Sequence, residues 1–416
     1  MAKRVYVVGV GPGDPQLLTL RAMDVIRRCR TVAGSRRALE VLRRLGLVDE
    51  SKNVVVLGHS FRHEIEALLR ENSDVVIVST GDPMYAGLGR LVLEATRDGD
   101  IDIVPGISSL QLAAARIGID WANTVLVDLH SYPDEKLLRY ALSELVLGRA
   151  VAMTLHTRFT AYTIANRVVD CGYTDTILYV CENVGRENER ILVLDLSRDS
   201  IDVLKTVSVN AVVFLVPKRR FLRSLAGDDL YAPPEVPGPS KEEIRSVVAV
   251  KTSASPGDRV LEIGCGCGAI TIELARRVFP DGEVVAVDRS KEAIEATKIN
   301  CSRYGVAHLV RLVHGEAPDV LRRTLDSNTR FRAVVIDAGK RLRENIEYGY
   351  GIVESRGRVI VVCVTVESFI ESIRTFRDLG IEPEIVSLNV ARSRRLGGYI
   401  SMAFLNPINI VIGEIR

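Results

Sequence analysis

The chain alternates short, uninterrupted apolar runs with amphipathic stretches over nearly its whole length. In the first half the runs fall at residues 5–8, 54–57, 75–79, 101–104, 150–155, 177–181 and 211–216. A strand buried on both faces loses the in–out alternation of side chains, so these runs predict mainly parallel sheets covered by helices. The pattern then stops. Residues 221–240, FLRSLAGDDLYAPPEVPGPS, hold four Pro and no periodicity, which predicts a linker. SKEEIRSVVAV follows as a predicted helix, with Ser240 as N-cap and Glu243 completing a capping box. A second series of runs occupies 260–263, 284–288, 309–313, 333–337 and 358–364. It closes with runs at 384–390, 399–405 and 408–412, the last two predicting an antiparallel hairpin around Asn406-Pro407. The expected organisation is a first α/β domain over 1–220, a linker over 221–239 and a different α/β domain over 240–416.

Composition narrows the classes. A length of 416 residues predicts two or three domains, and 47% hydrophobic residues suffice for sizeable cores. The formal net charge of +2 gives no global field for nucleic acid, so none is expected as a partner. Arg greatly outnumbers Lys, which suits bidentate contacts to anions. Seven unevenly spaced Cys do not form a disulfide framework and fit a reducing cytoplasm. The start MAKRVYVVGV is interrupted too early by Gly and Pro for a signal peptide, and no apolar run reaches membrane-spanning length. A cytoplasmic protein without a membrane partner is expected.

Two glycine-rich turns carry the chemistry. In the second half, LEIGCGCGAITIELA sets Gly264, Gly266 and Gly268 between a strand and a helix. Missing side chains let backbone approach a ligand, and the helix N-terminus offers free N–H groups. Glu262 precedes the first Gly by two residues, and Asp288 ends the next strand, where a carboxylate can accept both ribose hydroxyls. Gly315 and Glu316 follow the third strand, where an adenine contact is expected. A dinucleotide turn uses the related G-x-G-x-x-G and is the alternative from the same residues. The order of glycines and acids resembles class I S-adenosylmethionine-dependent methyltransferases, with a Rossmann-like seven-stranded sheet. Cys265 and Cys267 lie inside the glycine turn with no second ligand pair, so no metal site is expected.

The first half carries a more specific set. G-x-G-P-G-D places Gly9, Gly11, Gly13 and Asp14 after the first run. STGDPMYAGLGR supplies Thr80, Gly81, Asp82, Tyr85 and Ala86, and VPGISSLQLAAARIG supplies Pro105, Ser108 and Ser109. Each follows an apolar run, so the loops gather at the carboxyl edge of one sheet. The set resembles the tetrapyrrole (corrin and porphyrin) methylases, the class III methyltransferase fold. That resemblance implies S-adenosyl-L-methionine in a cleft between lobes at about 1–115 and 120–220. AGSRRALE, WANTVLVDLHS and CENVGRENERI resemble the cobalt-precorrin-7 C5-methyltransferases. PGPSKEEIR, IGCGCG and FLNPINIV resemble the cobalt-precorrin-6B C15-methyltransferases (decarboxylating).

Fused in this order, the halves resemble the bifunctional precorrin-6Y C5,15-methyltransferases of cobalamin biosynthesis. The resemblance implies methylation of a precorrin or cobalt-precorrin at C5 and C15, loss of the ring-C acetate as carbon dioxide, and a homo-oligomer. Two positions depart from the C15 pattern: Ser240 stands for the usual Thr, and Asp337-Ala338-Gly339 for the usual Gly-Gly. This leaves open a second half that methylates another acceptor, such as tRNA, or that binds cofactor without catalysis.

Methyl transfer from a sulfonium needs positioning rather than a protein nucleophile, and no catalytic residue is assigned. His130 and His156, just after first-half strands, are candidates for substrate contact. Recognition of the macrocycle's acetates and propionates falls to cations. Candidates are Lys340 and Arg341 in AGKRLR, and Arg392, Arg394 and Arg395 in the expected loop ARSRRLGGY. Solvated basic loops are the competing reading of both clusters.

Overall fold

Val- and Ile-rich runs become strands wherever helices cover both faces, because burial on both sides rewards β-branched side chains at successive positions. A computed structural model describes residues 4–58, 61–70, 73–96, 100–223, 227–337 and 339–415. Its contacts divide the chain into two units. The first takes Met1–Asp134, Arg149–Asn166 and Thr174–Lys218; the second takes Glu135–Gly148, Arg167–Tyr173 and Arg219–Arg416.

The first unit holds two five-stranded sheets. Strands β1 (Arg4–Gly9), β2 (Thr31–Gly34), β3 (Asn53–Val56), β4 (Val75–Ser79) and β5 (Asp100–Val104) run parallel in the order β3-β2-β4-β1-β5. Strands β6 (Thr124–Asp128), β7 (Ala150–Thr154), β8 (Thr176–Glu182), β9 (Arg190–Asp195) and β10 (Ala211–Pro217) form a mixed sheet in the order β6-β7-β10-β8-β9. Only the β6–β7 pair is parallel there. The expectation of mainly parallel sheets therefore holds for the first lobe and fails for the second, where β10 inserts antiparallel between β7 and β8.

The second unit contains a seven-stranded sheet. Strands β11 (Arg259–Ile263), β12 (Glu283–Asp288), β13 (Val310–His314), β14 (Phe331–Asp337) and β15 (Val353–Cys363) are parallel neighbours. Strands β16 (Glu384–Leu388), β17 (Ala391–Leu396), β18 (Tyr399–Phe404) and β19 (Ile408–Glu414) complete the chain. The order is β13-β12-β11-β14-β15-β19-β16, with β19 antiparallel to both of its neighbours.

Two local expectations are corrected. The hairpin lies between β17 and β18, not across Asn406-Pro407. Its turn is Gly397-Gly398, and Gly397 has a left-handed φ of 60°, the chemistry a two-residue hairpin turn requires. The run after Asn406-Pro407 is instead drawn into the sheet, where Ile410, Val411 and Ile412 are buried. The helix Glu242–Lys251 has no side-chain N-cap, and Lys241 occupies the cap position. Asp228 does the capping from a distance, accepting from Glu242 N at 3.1 Å. The carbonyl of Ser240 accepts from the buried Arg245 guanidinium at 2.9 Å.

Phe214 on β10 is fully buried in the first unit. Phe214→Ala should destabilise that unit by about 3–5 kcal/mol, read as a lower denaturant midpoint at constant slope.

Candidate active sites

The three motif loops of the first unit meet at the carboxyl ends of β1, β4 and β5. Val10 N donates to Ser79 O at 2.9 Å and Gly81 N to Gly11 O at 2.8 Å. A Cβ on Gly9 would lie 2.6 Å from Gly106 N and 2.7 Å from Gly81 O, and one on Gly106 would lie 2.5 Å from Gly81 O. The loops thus pack backbone on backbone, closer than any side chain allows. Asp82 ties them together: Oδ2 accepts from Gly106 N at 3.1 Å and Oδ1 from Met84 N at 2.8 Å. Ser108 and Gln111 form a reciprocal capping box on the helix Ser109–Ile117.

This frame borders a cavity of about 150 Å³ in the first unit. Thr80, Gly81, Tyr85, Ala86, Ser108 and Ser109 line it from the first sheet's edge, and His130 faces it from the second. Gly9, Gly11, Gly13, Asp14, Asp82 and Pro105 are not among the lining residues; Asp14, for example, accepts from Gln16 N at 2.9 Å. His130 N donates to Asp128 Oδ1 at 3.0 Å, and its ring Nδ1 lies 3.2 Å from Leu155 O. A carbonyl only accepts, so Nδ1 carries the proton in that bond and Nε2 is the atom left for a ligand. His156 does not line the cavity, and its Nδ1 accepts from Arg158 N at 3.2 Å. The Tyr85 hydroxyl is buried without a hydrogen-bond partner, and burial raises its pKa. Sequence reasoning missed Arg37, Asn183 and Asn210, which also line this cavity. Arg37 Nη1 donates to Asn210 Oδ1 at 2.7 Å. The segments AGSRRALE and CENVG held the signal for two of them.

The second cavity, of about 560 Å³, opens at the carboxyl ends of β11, β12 and β14 in the second unit, within the size range of small-molecule sites. Its glycine turn is braced from all sides. Gly266 N donates to Asp288 Oδ2 at 3.0 Å, and Ser290 N to Asp288 Oδ1 at 2.9 Å. Thr297 Oγ1 donates to Gly266 O at 2.9 Å, and Asn300 Nδ2 to Cys267 O at 2.7 Å. Gly268 has φ of +85°, and a Cβ there would lie 2.9 Å from Thr297 Cγ2. Asp288 Oδ2 thus accepts from the glycine turn and Oδ1 from the residue after next in its own loop, and each oxygen keeps a further lone pair.

Glu262, Gly264, Gly266, Asp288, Gly315, Glu316 and Lys340 line this cavity together, whereas Gly268 is not among the lining residues and caps the helix Ala269–Val278. Glu262 is 1% exposed and accepts from Thr271 Oγ1 at 2.5 Å. Burial pushes its pKa up to about 8, with the charges of Asp337 and Asp288 adding to the rise. Cys265 and Cys267 are free and buried, and burial raises both thiol pKa values, as for small apolar groups. No cluster of metal-ligating side chains occurs among the described residues.

The expected anion-binding cations mostly lie elsewhere. Arg341 is held by Asp319 at 2.7 Å and Glu344 at 2.5 Å. Arg392 pairs with Asp228 and Glu243, each at 2.6 Å. Arg394 and Arg395 are exposed on β17, which is a strand rather than the expected loop, and neither lines the cavity. Asp337 and Gly339 line it, whereas Ala338 lies outside the described residues. Sequence reasoning missed Asn345 and the segment 235–240, both part of the cavity wall. Residues 235–239 fall within the predicted linker because their prolines break every periodicity, and Ser240 falls at the predicted helix N-cap.

Gly106→Ala should force the three loops apart. Expected are a loss of about 1–3 kcal/mol in the first unit and loss of ligand binding there, measured by calorimetric titration. Glu262 gives a pH signature. Its folded pKa is raised from 4.5 to about 8, so its stabilising contribution is complete below pH 4.5 and is lost as pH rises through 8. Glu262→Gln cannot ionise. Its stability relative to wild type should rise by roughly 1.4 kcal/mol per pH unit across that window, measured by urea unfolding at pH 5, 6, 7 and 8.

Comparison with known proteins matches each half of the chain to a family. Residues 4–198 match the model of the tetrapyrrole (corrin/porphyrin) methylases, and residues 239–412 match that of the precorrin methyltransferase domain. A protein of Methanothermobacter thermautotrophicus, described as a probable cobalt-precorrin-6B C(15)-methyltransferase (decarboxylating), is 34% identical over 184 residues, 44% of this chain and 93% of its own. A protein of Methanocaldococcus jannaschii, described as a probable cobalt-precorrin-7 C(5)-methyltransferase, is 32% identical over 194 residues, 45% of this chain and 87% of its own. A solved precorrin-6Y C5,15-methyltransferase structure from Geobacter metallireducens aligns at 24% identity with a TM-score of 0.41, covering 45% of this chain and 95% of that one.

Proposed function

The chain belongs to the tetrapyrrole methylases over its first half and to the precorrin methyltransferases over its second, and on that basis we propose a bifunctional methyltransferase of cobalamin biosynthesis. The first domain, 1–220, methylates C5 of a precorrin. The second, 240–416, methylates C15 and releases the ring-C acetate as carbon dioxide. The observation that carries this reading is the pair of cavities, each framed by the glycine loops of a different methyltransferase family.

Both cavities suit S-adenosylmethionine, which supplies the activated methyl group when bound. In the second, the Gly264–Gly268 turn lets backbone approach the ligand although the N–H groups of Gly264, Cys265, Gly266 and Gly268 are spent within the protein, Asp288 accepts ribose hydroxyls, and Glu316 borders the adenine end. In the first, Thr80, Ser108 and Ser109 supply compact polar contacts, and His130 lines the cavity with Nε2 left for the substrate. Because donor and acceptor already carry the reactivity, these residues bind and orient rather than exchange protons. A homo-oligomer belongs to the same proposal. The β17–β18 hairpin exposes Tyr399, Ile400 and Phe404 at 81%, 79% and 83%, a patch that favours association.

The test is the full chain with precorrin-6B or its cobalt form and S-adenosylmethionine, followed by mass spectrometry. Two methyl gains with loss of one carbon dioxide are expected. Asp288→Ala removes two hydrogen bonds to a carboxylate and should lower the second methylation and the decarboxylation about 100-fold, while the first methylation continues. An Asp288→Ala chain that still releases carbon dioxide at the wild-type rate would remove the second assignment.

A further inference from the structure

Arg37 is the one permanently charged side chain among the described residues that line the first cavity, and no carboxylate is among them. It stands in the first turn of the helix Arg36–Arg44, a turn that holds no acid. A cation there meets the positive end of the helix dipole. Burial lowers the Arg37 pKa, and the nearby charge of Arg186 lowers it further. Among the described residues no carboxylate pairs with Arg37. Glu40, whose charge opposes the fall, pairs instead with Arg44 at 3.5 Å. A half-buried cation without a counter-ion asks for a reason.

The guanidinium is nevertheless held in place. Its Nη1 donates to Asn210 Oδ1 at 2.7 Å, and Asn210 also lines the cavity, so the pair belongs to its wall. Asn210 is fixed in turn: its carbonyl accepts from Asn183 N at 3.1 Å, and its N donates to Ser208 Oγ at 3.0 Å. Using Nη1 this way leaves the opposite edge, Nε with Nη2. Those two N–H groups point the same way and fit both oxygens of one carboxylate. The edge makes no hydrogen bond with the described residues, yet neither of its nitrogens is sealed, in contrast to the buried, unpartnered Nε of Arg186. The wall around it is strained as well. Ala86 and Asn183 both line the cavity with left-handed φ of 50° and 52°, and backbone held this way collects at ligand sites.

We propose that the Nε–Nη2 edge of Arg37 takes a carboxylate of a reactant in the first site, which makes Arg37 a specificity-determining residue of that site. The inference rests on the reading of the first cavity as a site of methyl transfer. A carboxylate supplies the two acceptors that the edge lacks and neutralises the wall's permanent cation. Two reactants carry one: S-adenosylmethionine in its amino-acid tail, and the tetrapyrrole in its acetate and propionate side chains. Both offer Arg37 the same chemistry, and kinetics tell them apart.

The test uses the full chain carrying Asp288→Ala, in which the first methylation is the one expected to continue. Arg37→Gln removes the charge and the fork, whereas Arg37→Lys keeps the charge alone. Mass spectrometry follows the single methyl gain on precorrin-6B while each reactant is varied in turn. Arg37→Gln should raise KM for one reactant roughly 10- to 100-fold. KM for the other reactant and the melting temperature of the ligand-free protein should stay as in the parent chain. Arg37→Lys should recover only part of the loss, because a point charge cannot form the fork. A rise confined to precorrin-6B assigns the carboxylate to the macrocycle; a rise confined to S-adenosylmethionine assigns it to the cofactor. Unchanged KM for both reactants in Arg37→Gln overturns the proposal. So does a fall in kcat alone, or a rise in both KM values with a lower melting temperature, either of which marks a structural role. If the Asp288→Ala chain with Arg37 intact adds no methyl group to precorrin-6B, the first-site reading itself fails and this inference falls with it.

Discussion

Both sites depend on backbone approaching backbone at the carboxyl ends of parallel strands. In the first unit Gly9, Gly81 and Gly106 stack so closely that one methyl group would part them. In the second, Gly264 meets the end of β14 and Gly268 meets Thr297. Parallel strands deliver several loops to one edge, and the absent side chains let those loops lie against each other and against a ligand. The polar residues of the motifs then divide their labour. Asp14 and Asp82 hold loops, Ser108 both caps a helix and borders the cavity, and Asp288 ties the glycine turn to its own loop.

Charge is handled differently from what the basic clusters suggest. Arg392 and Arg341 are neutralised by carboxylates of their own unit. Asp228 collects Arg392 and the fully buried Arg245 while also capping the helix that starts at Glu242. That arrangement leaves the second cavity's wall rich in acceptors, among them Glu262, Asp288, Glu316 and Asp337. Lys340, exposed at the rim, is the expected cation that still faces the cavity.

Much of the fold was legible because burial on both faces writes itself as continuous apolar runs. Val75–Ser79 appears in the structure with the bounds read from the chain. The short strand Thr31–Gly34 escaped notice because four residues ending in Gly make no run. Arg190–Asp195 escaped because it is a partly exposed edge strand. Asn406-Pro407 misled as a turn signal, since the partner of β18 precedes it through Gly397-Gly398. The glycines and acids that line the second cavity stand in order along the chain, whereas Gly9, Gly11, Gly13, Asp14 and Asp82 of the first half do not line the first cavity. Which Arg is already paired could not be read from the chain, because Asp228 and Arg392 are far apart in sequence and meet only in the fold. Asn345 left no trace either, as a lone Asn on an amphipathic helix looks like any exposed polar residue until its burial is known.

The segment 235–240 lies within the second unit and walls its cavity. Pro237-Gly238-Pro239 gives it a stiff backbone with few conformations to lose. A segment of this kind is a poor place to cut. Separating the second domain at residue 240 would remove one side of its pocket, whereas beginning it near residue 219 keeps the wall and Asp228 together with the helix they support. The second unit therefore begins upstream of the border that secondary structure draws. Fusion and fission of such enzymes are constrained by that difference.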